Sequence, residues 1–315
     1  MQESRKNMSL KEFNEARNSI LFISDWGGLG DVLIHRLIFD DVKKIIPEAK
    51  IHFCCLNQYQ DAIKDHPLVD KIIFPEDLKK EKYLVFYQTC VKTSNKYESH
   101  YGKECKLNRA EVWGLFCGYE IKDPNMHFDL HKGKIAIYKK RMQEMVKDEK
   151  KPIVVFSPKS AITTKCLQPN QIKAVIEELI DFNVFVIEKK EDKELKKFNI
   201  NTISNTTIDE WIYYTACADY VVTVDTATFH LAGGLGIPMT GIFTFANGKT
   251  YGKYYDFILV QKHMDDGNWD CGPCYNYRIC PKTQKELKPC LTELTEKEIK
   301  EGINKMFKKW PILIS

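Results

Sequence analysis

Asp225, Thr226, Thr228 and His230 bring a carboxylate, two hydroxyls and an imidazole within six consecutive positions. They follow the β-branched run Tyr220 to Val224 and lead into a helical stretch through Leu231 and Leu235, with Gly236, Pro238 and a second apolar run to Phe243 beyond. A strand that feeds a small-residue loop and a helix N-terminus aims several backbone N–H groups at one point, where an anion such as a phosphate sits. Taken alone, His230 reads as a structural histidine of the helix; the carboxylate, hydroxyls and helix start around it are what give it a chemical reading. A second set is Ser157 to Lys165, with hydroxyls on Ser157, Ser160, Thr163 and Thr164 and ammonium groups on Lys159 and Lys165. At a strand end these supply the charge compensation and hydrogen bonds of a diphosphate, or form an ordinary solvated loop. No Gly-x4-Gly-Lys-Ser/Thr pattern is present, which excludes a P-loop.

A third set, Gly27-Gly28-Leu29-Gly30-Asp31, follows the apolar run Ser19 to Ile23. Glycines there let a backbone approach a ligand closely, and Asp31 at the helix start serves either as a cap or as a catalytic carboxylate. Asp31-Val32-Leu33 follows Gly28-Leu29-Gly30, so the third glycine of the dinucleotide fingerprint is missing and a nicotinamide site loses its main support. The fourth set is Cys271, Cys274, Cys280 and Cys290. A C-x2-C pair with two later thiols could hold zinc, but the later spacing is irregular and no second C-x2-C occurs, which favours thiols packed in a loop without a metal. The other seven of the 11 cysteines are scattered, several in apolar elements, as in a reducing compartment.

Elements must place these sets at strand ends. Ser19 to Ile23, a helix carrying Val32, Leu33, Leu37, Ile38, Val42, Ile45 and Ile46, and the strand Ala49 to Leu56 make a β-α-β unit with the glycine loop at the carboxyl end of its first strand. Helical and strand-like stretches alternate onward to Asn108 to Cys117, interrupted by Tyr87 to Lys106, whose polar and aromatic residues lack periodicity and predict a loop that faces an acceptor or simply solvent. The second half repeats the alternation: strand Pro152 to Phe156, helix Gln168 to Phe182, strand Val184 to Ile187, and helix Thr207 to Ala216, where Thr207 and Glu210 form a capping-box pattern. The class is therefore α/β, with two doubly wound, Rossmann-like domains: 1–147 and 148–315, the boundary lying near Lys147.

A net charge of +4, 43% hydrophobic and 29% charged residues describe an ordinary globular chain and do not call for nucleic acid. The lysine runs Lys79-Lys80, Lys139-Lys140-Arg141 and Lys308-Lys309 suit solvated faces or contact with an anionic surface. No apolar run reaches the roughly 18 to 20 residues of a membrane span and the N-terminus is polar, so a cytoplasmic location is expected.

The residues resemble glycosyltransferase family 9, the ADP-heptose lipopolysaccharide heptosyltransferases and their relatives. Gly30-Asp31 with IPEAKIHF and HPLVDKIIF is similar to the N-terminal pattern of that family. VVTVDTATFHLAGGLGIPMTGIF resembles its signature D-T-G-x-x-H-L-A-A-A-L-G-x-P, and CGPCYNYRICP with PCLTELTEKEI resembles its C-terminal segment. The departures are Ala227 in place of the signature glycine and Gly233-Gly234 in place of two alanines. The resemblance implies a GT-B fold, two Rossmann-like domains facing across a cleft, the first binding an acceptor and the second a nucleotide sugar. It implies inverting transfer without a metal or other cofactor, from an ADP-linked sugar, heptose or a relative, to a saccharide or glycolipid such as a lipopolysaccharide core, with peripheral association at the inner membrane. By motif position Asp31 matches the general base beside Gly28 and Gly30. Thr163, Thr164, Lys165 and the N–H groups near Thr226 and Ala227 match the diphosphate contacts. Asp225 and His230 match donor-site positions, and Glu188 lies where an acidic donor contact is expected. The alternatives are a non-catalytic module that holds a nucleotide or glycan, and a sugar isomerase or epimerase of similar fold.

Overall fold

Short runs of Val, Ile and Phe become parallel strands, and the central ones, such as Ser19–Ser24 and Tyr220–Val224, are buried along their whole length beneath the connecting helices. The structure, a computed structural model, describes residues 17–88, 90–198, 200–262, 273–275, 279–280 and 282–312. The chain divides into two compact units: one holds the residues through Lys96 together with Arg109–Asp129, the other Tyr97–Asn108 together with the residues from Leu130 onward.

In the first unit β1 (Ser19–Ser24), β2 (Lys50–Cys55), β3 (Val69–Ile73) and β4 (Val85–Tyr87) form a parallel sheet in the order β3-β2-β1-β4. The helix expected from Val32 to Ile46 is broken into α1 (Leu29–His35), a 3₁₀ turn at Arg36–Ile38, and α2 (Phe39–Ile45). The break coincides with Arg36, whose fully buried guanidinium donates to the carbonyls of Met126, Ala62 and His127 and to both oxygens of Asp65. The loop expected between Tyr87 and Lys106 is largely helix: α3 (Cys90–Tyr101) precedes α4 (Arg109–Cys117). Its inward positions include Ser94 and Glu98, both buried, so polar residues interrupt the hydrophobic period that would have announced it.

In the second unit the strands are β5 (Ile153–Ser157), β6 (Asn183–Ile187), β7 (Asn201–Ile203), β8 (Tyr220–Val224), β9 (Met239–Phe243) and β10 (Ile258–Gln261), parallel in the order β10-β9-β8-β5-β6-β7. Alternation sorts their side chains to two faces. Val154, Phe156, Val222 and Val224 pack with Ile299, Ile303 and Met306 of the final helix, while Ile153, Val155, Val221 and Phe243 pack with Phe229 on the other side. The helices are α5 (Lys132–Glu144), α6 (Pro169–Glu178), α7 (Ile208–Ala216), α8 (Ala227–Leu235), α9 (Gly248–Tyr251), α10 (Pro289–Thr292) and α11 (Glu296–Lys309). At the start of α7, Thr207 Oγ1 accepts from Glu210 N at 3.2 Å and Thr207 N donates to Glu210 Oε2 at 2.9 Å, the expected capping box.

The units divide at Asp129 and Leu130, earlier than the boundary expected near Lys147. The cause is α5, which packs on α7: Tyr138 stacks on Tyr213 with ring centroids 5.5 Å apart, and Lys134 lies 3.3 Å from Asp209. Among the described residues no helix is long and apolar enough to cross a membrane.

Candidate functional site

Strand order decides where each unit can hold a ligand. In the second unit the chain runs from β5 outward through β6 and β7, then returns to place β8, β9 and β10 on the other side of β5. The loops that leave the carboxyl ends of β5 and β8 therefore part at a topological switch point, the position where open α/β sheets bind ligands.

Both loops bring sequence-predicted residues there. Lys165 closes a 3₁₀ turn, Thr163–Lys165, and its Nζ lies 2.7 Å from Asp225 Oδ2, with side chains only 11% and 8% exposed. Thr228 Oγ1 donates to Ser157 Oγ at 3.2 Å, tying the two loops together. Thr164 is buried and its carbonyl accepts from Thr244 Oγ1 at 3.3 Å, whereas Thr163 is exposed. Thr226 is the N-cap of α8, in extended conformation and with no side-chain cap, so the first-turn amides are not consumed by a capping side chain. Ala227 takes the first helical position without a positive φ, so this backbone does not require the signature glycine. The arrangement can offer a diphosphate the first-turn amides of α8 and the ammonium of Lys165, whose charge Asp225 balances here.

His230 is buried in α8 with Nδ1 3.2 Å from the Tyr255 hydroxyl. Glu188, just past β6, stands on the other side of β5; its Oε2 accepts from Asp192 N at 3.0 Å and its carbonyl from Thr206 Oγ1 at 3.1 Å. Burial raises the Glu188 carboxyl above its ordinary range, with Asp192 N–H acting against the shift.

Sequence reasoning missed the support beneath Lys165. Phe245, in the loop after β9, has the Lys165 ammonium 5.8 Å from its ring centroid and the Lys288 ammonium 4.4 Å from it. Lys288 is only 1% exposed, an unusual position for a lysine. Neither has a local signal: Lys288 lies in a lysine-rich stretch, and Phe245 follows a strand like any apolar residue.

In the first unit the switch point lies between β1 and β4, and Gln88 Nε2, after β4, donates to Asp25 Oδ2, after β1, at 3.0 Å. Asp31 stands beside this point as the N3 residue of α1, and its side chain takes part in the cap of that helix. Its Oδ2 accepts from Gly28 N at 2.9 Å, and its Oδ1 pairs with Arg109 Nη1 at 2.5 Å, the two side chains 12% and 10% exposed. Arg109 Nη2 also donates to Asn95 Oδ1 at 2.7 Å. Gly27, at φ +115°, leaves space for the carboxylate, since a Cβ there would stand 2.7 Å from Asp31 Oδ2. Gly28 is the N-cap of α1 and Gly30 lies in its first turn. Arg109 and Asn95 were invisible as partners because 78 and 64 positions separate them from Asp31.

Of the four clustered cysteines, Cys271 lies outside the described residues; Cys280 is buried and Cys274 and Cys290 half-buried, all outside disulfides. Among the described residues no three or more His, Cys, Asp or Glu side chains gather as a metal would need.

No curated protein matches the sequence. Solved structures share the fold at low identity. Escherichia coli ADP-heptose lipopolysaccharide heptosyltransferase II is 13% identical over 92% of this chain and 99% of its own, with a TM-score of 0.67. A glycosyl transferase family 9 protein from Veillonella parvula is 10% identical over 92% and 97%, with a TM-score of 0.66. The iron-containing dodecameric heptosyltransferase TibC of enterotoxigenic E. coli, solved with ADP-D-beta-D-heptose, is 13% identical over 93% and 77%, again at 0.66. These likenesses establish the α/β GT-B class of two parallel sheets with helices. The family model matches residues 76–263, a span that runs from before β4 to just after β10 and contains Lys165, Asp225 and His230. With more than half of its length in that match, the chain is a glycosyltransferase and belongs to glycosyltransferase family 9 (heptosyltransferase).

Proposed function

We propose that the protein transfers a heptose or related sugar from an ADP-linked donor to a hydroxyl of a saccharide or glycolipid such as a lipopolysaccharide core, inverting the anomeric centre. The observation that carries this reading is the Lys165–Asp225 pair, 2.7 Å apart beside the uncapped start of α8 at the switch point of the second unit. The heptose and ADP parts lean on TibC, which is solved with ADP-heptose.

In the proposed reaction the acceptor oxygen attacks the anomeric carbon and gives its proton to the Asp31 carboxylate, while the bond from that carbon to the diphosphate oxygen breaks and ADP leaves. Lys165, Thr163, Thr164 and the amides near Thr226 and Ala227 take up the charge that develops on the leaving oxygen. Asp225 and His230 orient the donor, Glu188 contacts its nucleoside side, and Gly28 and Gly30 keep the backbone beside Asp31 low enough for an acceptor to approach. No metal takes part in these steps. Contact with an anionic membrane surface through lysine-rich faces would bring a lipid-linked acceptor within reach.

Incubation of the purified protein with ADP-heptose and a panel of core saccharides, with products identified by mass and their anomeric configuration by NMR, tests the reading. Wild type is expected to form the glycoside with inverted configuration, and Asp31→Ala to transfer about 100-fold or more slowly. Full transfer by Asp31→Ala would remove Asp31 as the base; a retained configuration would remove the single-displacement mechanism; a donor altered without acceptor would mean isomerisation instead.

A further inference from the structure

Tyr255 lies 25 positions after His230 and belongs to no motif, yet its hydroxyl meets His230 Nδ1 at 3.2 Å. The ring is held on two sides by neighbours of that histidine in α8. Phe229 contacts it edge-on, with centroids 5.6 Å apart and an interplanar angle of 72°. On the next turn Gly233 leaves room for it, since a Cβ at that position would stand 2.4 Å from Tyr255 Cγ and within 2.7 Å of both Cδ atoms. Gly233 is one of the two positions where this chain departs from the alanines of the family signature. The aromatic ring occupies the volume that an alanine methyl would enter, so glycine and tyrosine act here as a pair.

The chemistry of the contact has a direction. Burial pushes the Tyr255 phenol far above its ordinary range, so it keeps its proton. Among the described residues the hydroxyl has one partner, His230 Nδ1. A buried hydroxyl with one available acceptor donates to it rather than leave its hydrogen unpaired. Nδ1 of the neutral imidazole is then the acceptor, and the ring hydrogen resides on Nε2.

We infer that Tyr255 is a positioning residue that fixes His230 as the neutral Nε2–H tautomer, so that the imidazole works as an oriented hydrogen-bond donor to an oxygen ligand and not as a proton-transfer group. The tautomer is argued from the Tyr255 contact and the packing at Gly233; the identity of the ligand rests on the donor-site reading given above, and an oxygen of a sugar diphosphate is the class of acceptor that such a donor fits. The role resembles that of the carboxylate in a Ser-His-Asp triad, which orients the imidazole and sets its tautomer from behind.

The full chain labelled with 15N-histidine tests the inference directly. It contains eight histidines, and His230→Gln assigns the His230 signals by their loss. In two-bond 15N–1H correlation spectra at neutral pH, wild type is expected to show an unprotonated Nδ1 and a protonated Nε2 for His230. Tyr255→Phe, which keeps the ring and its packing, is expected to shift His230 toward a mixture of tautomers. It should also weaken ADP-heptose binding by roughly two- to tenfold, the worth of one neutral hydrogen bond. A wild-type His230 with its proton on Nδ1, or an unchanged tautomer in Tyr255→Phe, would overturn the inference. If the tautomer changes as expected while both Tyr255→Phe and His230→Gln bind ADP-heptose like wild type, the tautomer assignment holds and the placement of the donor at His230 fails.

Discussion

The Asp31 carboxylate gives each oxygen a separate duty, one to the Gly28 amide at 2.9 Å and one to the Arg109 guanidinium at 2.5 Å. Residue types at strand ends made Asp31, Lys165 and Asp225 candidates in the sequence, and the structure pairs Lys165 with Asp225 at 2.7 Å. Their surroundings were not legible: Arg109 reaches Asp31 from 78 positions away, and Lys288 comes to the Phe245 ring beside Lys165 from a distant stretch, meetings that no local spacing records. The same holds for the surroundings of His66, a buried imidazole at the head of the HPLVDKIIF stretch. Its Nδ1 accepts from Leu68 N at 3.2 Å, and among the described residues its Nε2 has no hydrogen-bond partner. Burial, with Arg36 and His127 adding repulsion, lowers this imidazole from 6.5 to about 3. The fold therefore holds a neutral ring, while the unfolded chain takes up a proton as pH falls through 6.5. Stability is complete above that value and declines from there toward about 3, at up to about 1.4 kcal/mol per pH unit for this one group. Urea unfolding at pH 7 and pH 5 should show a loss that is reduced in His66→Phe; equal losses in both proteins would mean that His66 is not the cause.

Elements followed the sequence closely where period and punctuation agreed. Tyr220 to Val224 is β8 residue for residue, and Thr207 with Glu210 starts α7 as its capping pattern required. They departed where burial is polar or local preference is overridden: Arg36 interrupts the first helix, and Ser94 with Glu98 conceals α3. Strands β7 and β10, of three and four residues, were too short to stand out before the sheet around them was known. The final helix illustrates a packing choice at this scale. Gly302 lies in the middle of α11, where glycine costs about 1 kcal/mol relative to alanine. A Cβ there would stand 2.0 Å from Val260 Cγ2 in β10, and a β-branched side chain has little room to turn away. Overpacking costs about 1–3 kcal/mol, which outweighs the gain in helix propensity. Gly302→Ala should lower the thermal unfolding temperature, and Val260→Ala in the same chain should recover part of the loss. A higher unfolding temperature for Gly302→Ala alone would mean that helix propensity outweighs the crowding against Val260.

At the scale of the whole molecule, the two-fold repetition of α/β units was readable from the alternation of strands and helices, but their division was not. Tyr97–Asn108 belongs with the later unit although first-unit residues both precede and follow it. Asn108 Nδ2 donates to the carbonyls of Thr250 and Tyr251, Thr250 Oγ1 donates to the carbonyl of Cys105, and the Tyr251 hydroxyl bonds to the buried Glu98 carboxylate. A fragment 148–315, cut at the boundary that periodicity suggested, lacks both this segment and α5. It should show no cooperative urea transition by circular dichroism; a transition as sharp as that of the full chain would show that neither piece is needed. The same interleaving bears on synthesis. Asn108 leaves the ribosome 142 residues before Thr250. At about 5–20 residues per second, its amide waits roughly 7 to 30 s for those carbonyls. During that interval the Glu98 carboxylate has no tyrosine to bind and Cys105 no threonine, so the nascent second unit stays open along one seam until Thr250 and Tyr251 have been made.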